Sequence, residues 1–332
     1  MLRIVFMGSD AIALPALGWL TGGGRREAEI VGVFTQPDRA AGRGQQVRAN
    51  AIKLWALDRG LPVLQPPKVG AAERARLAAL QPDLVLVMAY GHILRQDVID
   101  TPRVGILNLH TSLLPAYRGA SPIQTAIAAG ETVTGVTLMR LVLALDAGPV
   151  AAVERVPIGP LDTALELADR LGRACVPLLA GCLPRIAAGS QAFTPQDDAR
   201  ATYCRRLEKS DGGLDFNAPA ATLAARINGL MPWPGCSVTL NGQTMRVGLA
   251  DVCHLLYDKP ARAGEVVGAD ADGLLVGTGQ GVLRLRRLQR PGGRMLGADD
   301  FLRGFPVAPG TQLPSVPMPA LMAPQPFARP KG

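Results

Sequence analysis

Four short apolar runs constrain the fold of this 332-residue chain: Leu2–Met7, Ile30–Thr35, Leu84–Val87 and Val104–Leu109. None alternates like a half-exposed strand, so each predicts a strand covered on both faces. Helix signals lie between them. Asp10 is placed to cap a helix through about Leu20, broken by Gly22-Gly23-Gly24, and Asn50 to cap Ala51–Arg59 before Gly60. Ala71–Leu80 reads as a third helix, and Ser121-Pro122 opens a fourth that ends near Gly130. Strands alternating with helices predict an α/β domain built on a doubly wound, largely parallel sheet. Thr132–Leu145 and Val150–Val156 read as a β-pair beside that sheet, and Asp162–Ile186 as a closing helix.

The pattern changes near residue 188. Residues 189–206 are polar and irregular and read as a linker. Cys236–Leu240, Met245–Leu249, Leu274–Val276 and Val282–Leu288 are short β-like runs separated by glycines, which predict a small OB-like β-barrel or a sandwich over residues 207–312. Gly277, Gly279 and Gly281 fall between two such runs and mark a hairpin rather than a phosphate loop. Residues 313–332 hold six prolines and predict an extended or disordered tail. The organisation expected is therefore 1–188, a linker, 207–312 and a tail.

Several function classes are disfavoured at once. No apolar run reaches the roughly 18–20 residues that span a bilayer, and no signal-like segment opens the chain, so a soluble cytoplasmic protein is expected. The five cysteines are scattered with no C-x-x-C pair, and the three histidines are far apart, which points away from disulfide and metal frameworks. The net charge of +8 indicates an anionic partner without naming it. Arg284, Arg286, Arg287, Arg290, Arg294 and Arg303 concentrate that charge late in the chain.

The chemically informative segment is Gly105-Ile106-Leu107-Asn108-Leu109-His110. On a strand, Asn108 and His110 share one face, roughly 7 Å apart. They also leave the strand at its carboxyl end, where open α/β sheets place their ligand crevice. Asn-x-His is followed by Ser112-Leu113-Leu114-Pro115-Ala116-Tyr117-Arg118-Gly119, and later by Leu145-Asp146-Ala147-Gly148. This compound pattern resembles the folate-dependent formyltransferase family. Three further segments resemble the members that act on methionyl-tRNA: Val33–Arg39 leading into Gly42-Arg43-Gly44, Arg226-Ile227-Asn228 with Met231-Pro232-Trp233-Pro234-Gly235, and Gly281–Gln289 with Arg294-Met295.

The resemblance implies a Rossmann-like formyltransferase domain, 10-formyltetrahydrofolate as co-substrate, and initiator methionyl-tRNA as acceptor, in a monomer without a metal. It implies that Asn108, His110 and Asp146 are catalytic and that Ser112, Leu113, Leu114 and Pro115 line the folate site. It also places Arg43 at the acceptor end of the tRNA. Arg284 and Arg286 alternate with leucines, and this shared face supports their contact with nucleic acid. The chemistry is coherent on its own terms. A neutral amine attacks a formamide-like carbon through a tetrahedral oxyanion, to which an amide such as Asn108 can donate. His110 can take the amine proton and return one to the leaving nitrogen, with Asp146 orienting the ring and stabilising its cation. No side-chain nucleophile is needed, so direct transfer is expected. The alternatives are a folate-dependent formyltransferase for a sugar amine or another small amine, and a formyl-folate hydrolase.

Some positions depart from the family pattern. Val142 stands for an acid, Ala144 for a glycine, Thr111 for a glycine and Arg95 for a proline, while Gln45-Gln46 replace residues that are often basic. Ala144 matters if the loop before Asp146 needs a left-handed backbone there, which alanine adopts poorly.

Overall fold

The computed structural model describes residues 1–41, 46–254 and 261–328. They form two compact units: residues 1–118, 135–156 and 169–201, and residues 119–134, 157–168 and 202 onward.

In the first unit lies a seven-stranded sheet: β1 (Leu2–Gly8), β2 (Ala28–Phe34), β3 (Val63–Leu64), β4 (Leu84–Met88), β5 (Gly105–His110), β6 (Val133–Arg140) and β7 (Val150–Pro157). Their order across the sheet is β7-β6-β5-β4-β1-β2-β3. The five strands from β3 to β5 in that order are parallel, and β6 runs antiparallel to β5. The order reverses beside β1, as in a doubly wound Rossmann-like sheet. Every residue of β4 is buried, as is every residue of β1 except Arg3, which explains why neither run alternates. On one face Val5, Met7, Val85, Val87 and Ile106 pack against Leu94, Val98 and Ile99. Full burial of such side chains stabilises by roughly 1.5–3 kcal/mol each.

The caps act where their residue types predict. The Asp10 carboxylate accepts from the Ile12 amide at 2.9 Å, and Asn50 accepts from the Lys53 amide at 3.0 Å to start the helix Ala51–Leu57. The strand expected over Thr132–Leu145 stops at Arg140. The following residues instead form a loop, closed where the Arg140 amide donates to the Pro149 carbonyl at 2.9 Å.

The second unit contains β8 (Tyr203–Cys204), β9 (Cys236–Leu240), β10 (Gln243–Cys253), β11 (Val266–Ala269), β12 (Leu274–Gly277), β13 (Val282–Gln289), β14 (Met295–Gly297) and β15 (Met322–Ala323). An antiparallel sheet runs β9-β10-β13-β12-β11, with β14 along β13. Register shifts between β10 and β13 near Leu249 increase the local twist, and the sheet curls into a half-barrel. Leu223 and Ile227 of the helix Ala220–Gly229 join Leu240, Val247, Leu283, Leu285 and Leu288 in one core. Asn228 at the end of that helix is buried, and its amide exchanges two 2.9 Å hydrogen bonds with the backbone of Ala250.

The described part of the proline-rich tail, residues 313–328, is extended and packed. Leu313 and Leu321 are buried, the Val316 amide donates to Leu214 at 2.8 Å, and β15 pairs with β8. Among the described residues no helix is long and apolar enough to cross a membrane.

Candidate active site

Strand alternation places Ile106, Asn108 and His110 on one face of β5. Ile106 belongs to the apolar cluster with Val87, Tyr90 and Leu94, so the two polar side chains continue an apolar row towards the carboxyl end of the sheet. Asn108 is half-buried and His110 is buried.

The imidazole is held through Nε2, which lies 2.9 Å from the Tyr117 carbonyl oxygen. A carbonyl only accepts, so Nε2 carries the hydrogen, and in the neutral ring the lone pair sits on Nδ1. That nitrogen faces Asp146, with Nδ1 to Oδ2 at 3.8 Å. Orientation of the ring therefore falls to Tyr117, and the carboxylate stands beside the nitrogen that can accept a proton. Tyr117 itself is left-handed, at φ +59°.

The turn between His110 and Tyr117 is braced from within. The buried Ser112 hydroxyl donates to the Ala116 carbonyl at 2.6 Å, and the Ala116 amide donates to Leu113 at 3.1 Å. Thr137 on β6 donates to the Ser112 carbonyl at 2.7 Å and accepts from the Leu114 amide at 3.1 Å. The Ser112 hydroxyl is thus used in shaping the turn, while Leu113, Leu114 and Pro115 remain half-buried.

Asp146 is presented by the loop that follows β6. The loop begins where the Leu141 amide donates to Ile106 at 2.8 Å. Its left-handed residue is Asp146, at φ +46°, and not Ala144, so the alanine found in place of the usual glycine does not meet the strain expected of it. Aspartate tolerates that region better than most residues. Gly148 is required by a close approach, because a Cβ there would lie 1.8 Å from the Arg140 carbonyl oxygen.

One site residue escaped the sequence reading. Gln196 lies in the polar stretch expected as a linker, and that stretch is bound to this unit: Thr194 and Val150 exchange backbone hydrogen bonds at 2.8 Å in each direction. The Gln196 amide nitrogen donates to the carbonyl oxygens of Asp146 and Gly148, both at 2.8 Å. Nothing in the polar stretch around Gln196 signals such partners, and its neighbour Asp197 is occupied locally, capping the turn Asp198–Arg200 by accepting from the Ala199 amide at 3.1 Å.

The basic residues are placed as follows. Arg43 lies outside the described residues, although a short antiparallel pair, Arg39–Ala41 with Gln46–Arg48, leads to it. Arg284 bonds Asp270 at 2.9 Å, Arg286 bonds Asp251 at 3.0 Å, and Asp272 lies 3.3 Å from Arg286. A phosphate at either arginine would compete with carboxylates already in place. Arg287, Arg290 and Arg294 are exposed.

The comparisons with known proteins match both units. The formyl transferase family model covers residues 2–179, and that of the formyl transferase C-terminal domain covers residues 206–306. A methionyl-tRNA formyltransferase of Pseudomonas fluorescens (strain SBW25) is 44% identical over 301 residues, covering 90% of this chain and 93% of that protein. One from Ralstonia nicotianae is 42% identical over 327 residues, covering 95% and 98%. Among solved structures, the sugar 3N-formyl transferase WlaRD superposes with a TM-score of 0.66 at 17% identity over 87% of this chain and 98% of its own. HypX from Aquifex aeolicus, solved with tetrahydrofolic acid, gives 0.59 at 18% over 91% of this chain, which spans about half (47%) of that longer protein. At such identities these two structures speak for the fold alone. The family models and the relatives above 40% identity decide more: this chain belongs to the formyl transferase family.

Proposed function

We propose that the protein transfers the formyl group of 10-formyltetrahydrofolate to the amino group of methionine on initiator methionyl-tRNA, giving N-formylmethionyl-tRNA. The observation that carries this reading is the pairing of His110 Nδ1 with Asp146, two strand positions from Asn108 on the same face, in a chain more than 40% identical, across both its domains, to relatives named methionyl-tRNA formyltransferase. In this reading His110 Nδ1 takes the proton of the attacking amine, and the Asp146 carboxylate stabilises the resulting imidazolium. The Asn108 amide donates to the oxyanion of the tetrahedral intermediate. The same Nδ1 proton is then passed to the departing folate nitrogen. These steps call for neither a side-chain nucleophile nor a metal.

The folate is assigned to the turn Ser112–Pro115. Exposed apolar side chains on the neighbouring loops, Ile93, Val142, Leu143 and Leu145, support packing against the flat faces of a ring system there. RNA contact is assigned to Arg43 and to the arginines of β13 and its following turn. Within that group the exposed Arg287, Arg290 and Arg294 are better disposed than the carboxylate-paired Arg284 and Arg286. A cytoplasmic monomer belongs to the same reading.

The test is transfer from 10-formyltetrahydrofolate to initiator and elongator methionyl-tRNA by the purified protein. N-formylmethionine released from the initiator species is expected. Formylation of neither species, transfer only to a sugar amine, or release of formate alone would overturn the reading.

A further inference from the structure

Asp146 presents a problem of support. Its left-handed backbone is unfavourable by roughly 1–2 kcal/mol for an L-residue, so neighbouring groups must hold the loop in place. Gln196 supplies two such contacts through the carbonyls of Asp146 and Gly148. Its own orientation is fixed. The amide oxygen accepts from Arg118 Nε at 3.1 Å and Nη2 at 2.8 Å, and a guanidinium can only donate. The amide nitrogen must therefore face the two carbonyls. Arg118 is buried, bonds Asp198 at 2.7 Å, and directly follows Tyr117, whose carbonyl holds His110. A single short relay thus runs from the backbone that orients the imidazole to the backbone that presents the carboxylate.

We propose that Gln196 is a positioning residue for Asp146, oriented by Arg118, and that the two keep the carboxylate aligned with His110 Nδ1. The inference rests on the formyl-transfer reading for its consequence in turnover, though not for its geometry. The discriminating variant is Gln196→Glu. It keeps the volume and gains an ion pair with Arg118, yet it cannot donate to either carbonyl.

Q196E should lose some thermal stability, because its second carboxylate oxygen faces two carbonyl oxygens, yet still unfold in one cooperative transition, while kcat falls about tenfold or more with little change in KM for methionyl-tRNA. A double-mutant cycle separates positioning from general damage. In an Asp146→Asn background the same substitution should change kcat less than about twofold. Two losses that multiply, or wild-type kcat in Q196E, would overturn the proposal. Amide hydrogen exchange of residues 141–149 provides a test independent of activity. It should quicken about tenfold or more in Q196E, and unchanged exchange would remove the clamp even if the wild-type protein formylates nothing.

Discussion

Replacing Gly148 with alanine adds one methyl group and should disable the site through geometry alone. The new Cβ would lie 1.8 Å from the Arg140 carbonyl oxygen, where contacts below 3.0 Å essentially never occur, so one side must retreat by more than 1 Å. Arg140 is paired with Leu107 in the sheet and cannot easily move. The loop must yield, carrying Asp146 away from His110 Nδ1, which it faces at 3.8 Å. A displacement of that size in a reacting constellation costs about 10²-fold in rate, or about 2.7 kcal/mol in the barrier. Overpacking adds a stability loss of about 1–3 kcal/mol. Single-turnover formylation measured beside thermal melts separates the two effects. Combining Gly148→Ala with Asp146→Asn should be no slower than Asp146→Asn alone. A folded Gly148→Ala protein within about twofold of wild-type rate would refute the claim that this loop sets the catalytic geometry.

Asn228→Ala should lower stability by about 2–4 kcal/mol in urea unfolding, because it leaves a buried Ala250 amide and carbonyl without partners; a loss under about 0.5 kcal/mol would contradict the bidentate contact. Ending the chain at Gln312 removes the buried Leu313 and Leu321 together with β15, and the melting temperature should fall by several degrees, whereas an unchanged melt would mean that the tail contributes nothing. The hydrogen bond from Gln65, then that from Lys53, holds the Asp38 carboxyl below its ordinary 3.8. Its contribution to stability is therefore present above that value and lost as pH falls through the lower folded-state value. The stability gap between wild type and Asp38→Asn should accordingly narrow below about pH 4, and a gap that widens on acidification would reverse the assignment.

How much of this could be read from the chain varies with the kind of contact. β1, β4 and β5 are legible because burial on both faces leaves an unbroken apolar run. Asn108 and His110 stand out because the period of a strand puts both on one face. Gln196 was not legible: a polar residue in a polar stretch looks solvated, and its partners lie about 50 residues earlier. Alternation also shows that Arg284 and Arg286 share a side of β13, but not that Asp251 of β10, opposite Arg284 in the ladder, and Asp270 and Asp272 between β11 and β12 cover that side. Motif comparison draws attention to Ala144, yet the backbone places the left-handed turn two residues later, at Asp146 itself.

The central claim is that His110 Nδ1, with Asp146 beside it and Asn108 on the same strand face, performs the transfer. Single-turnover formylation of initiator methionyl-tRNA by Asn108→Ala, His110→Ala and Asp146→Ala, with folate binding measured on the same samples, tests it most directly. The expected result is a rate at least about 10²-fold below wild type in each variant, with folate still bound. Wild-type transfer by any one of the three would contradict the account.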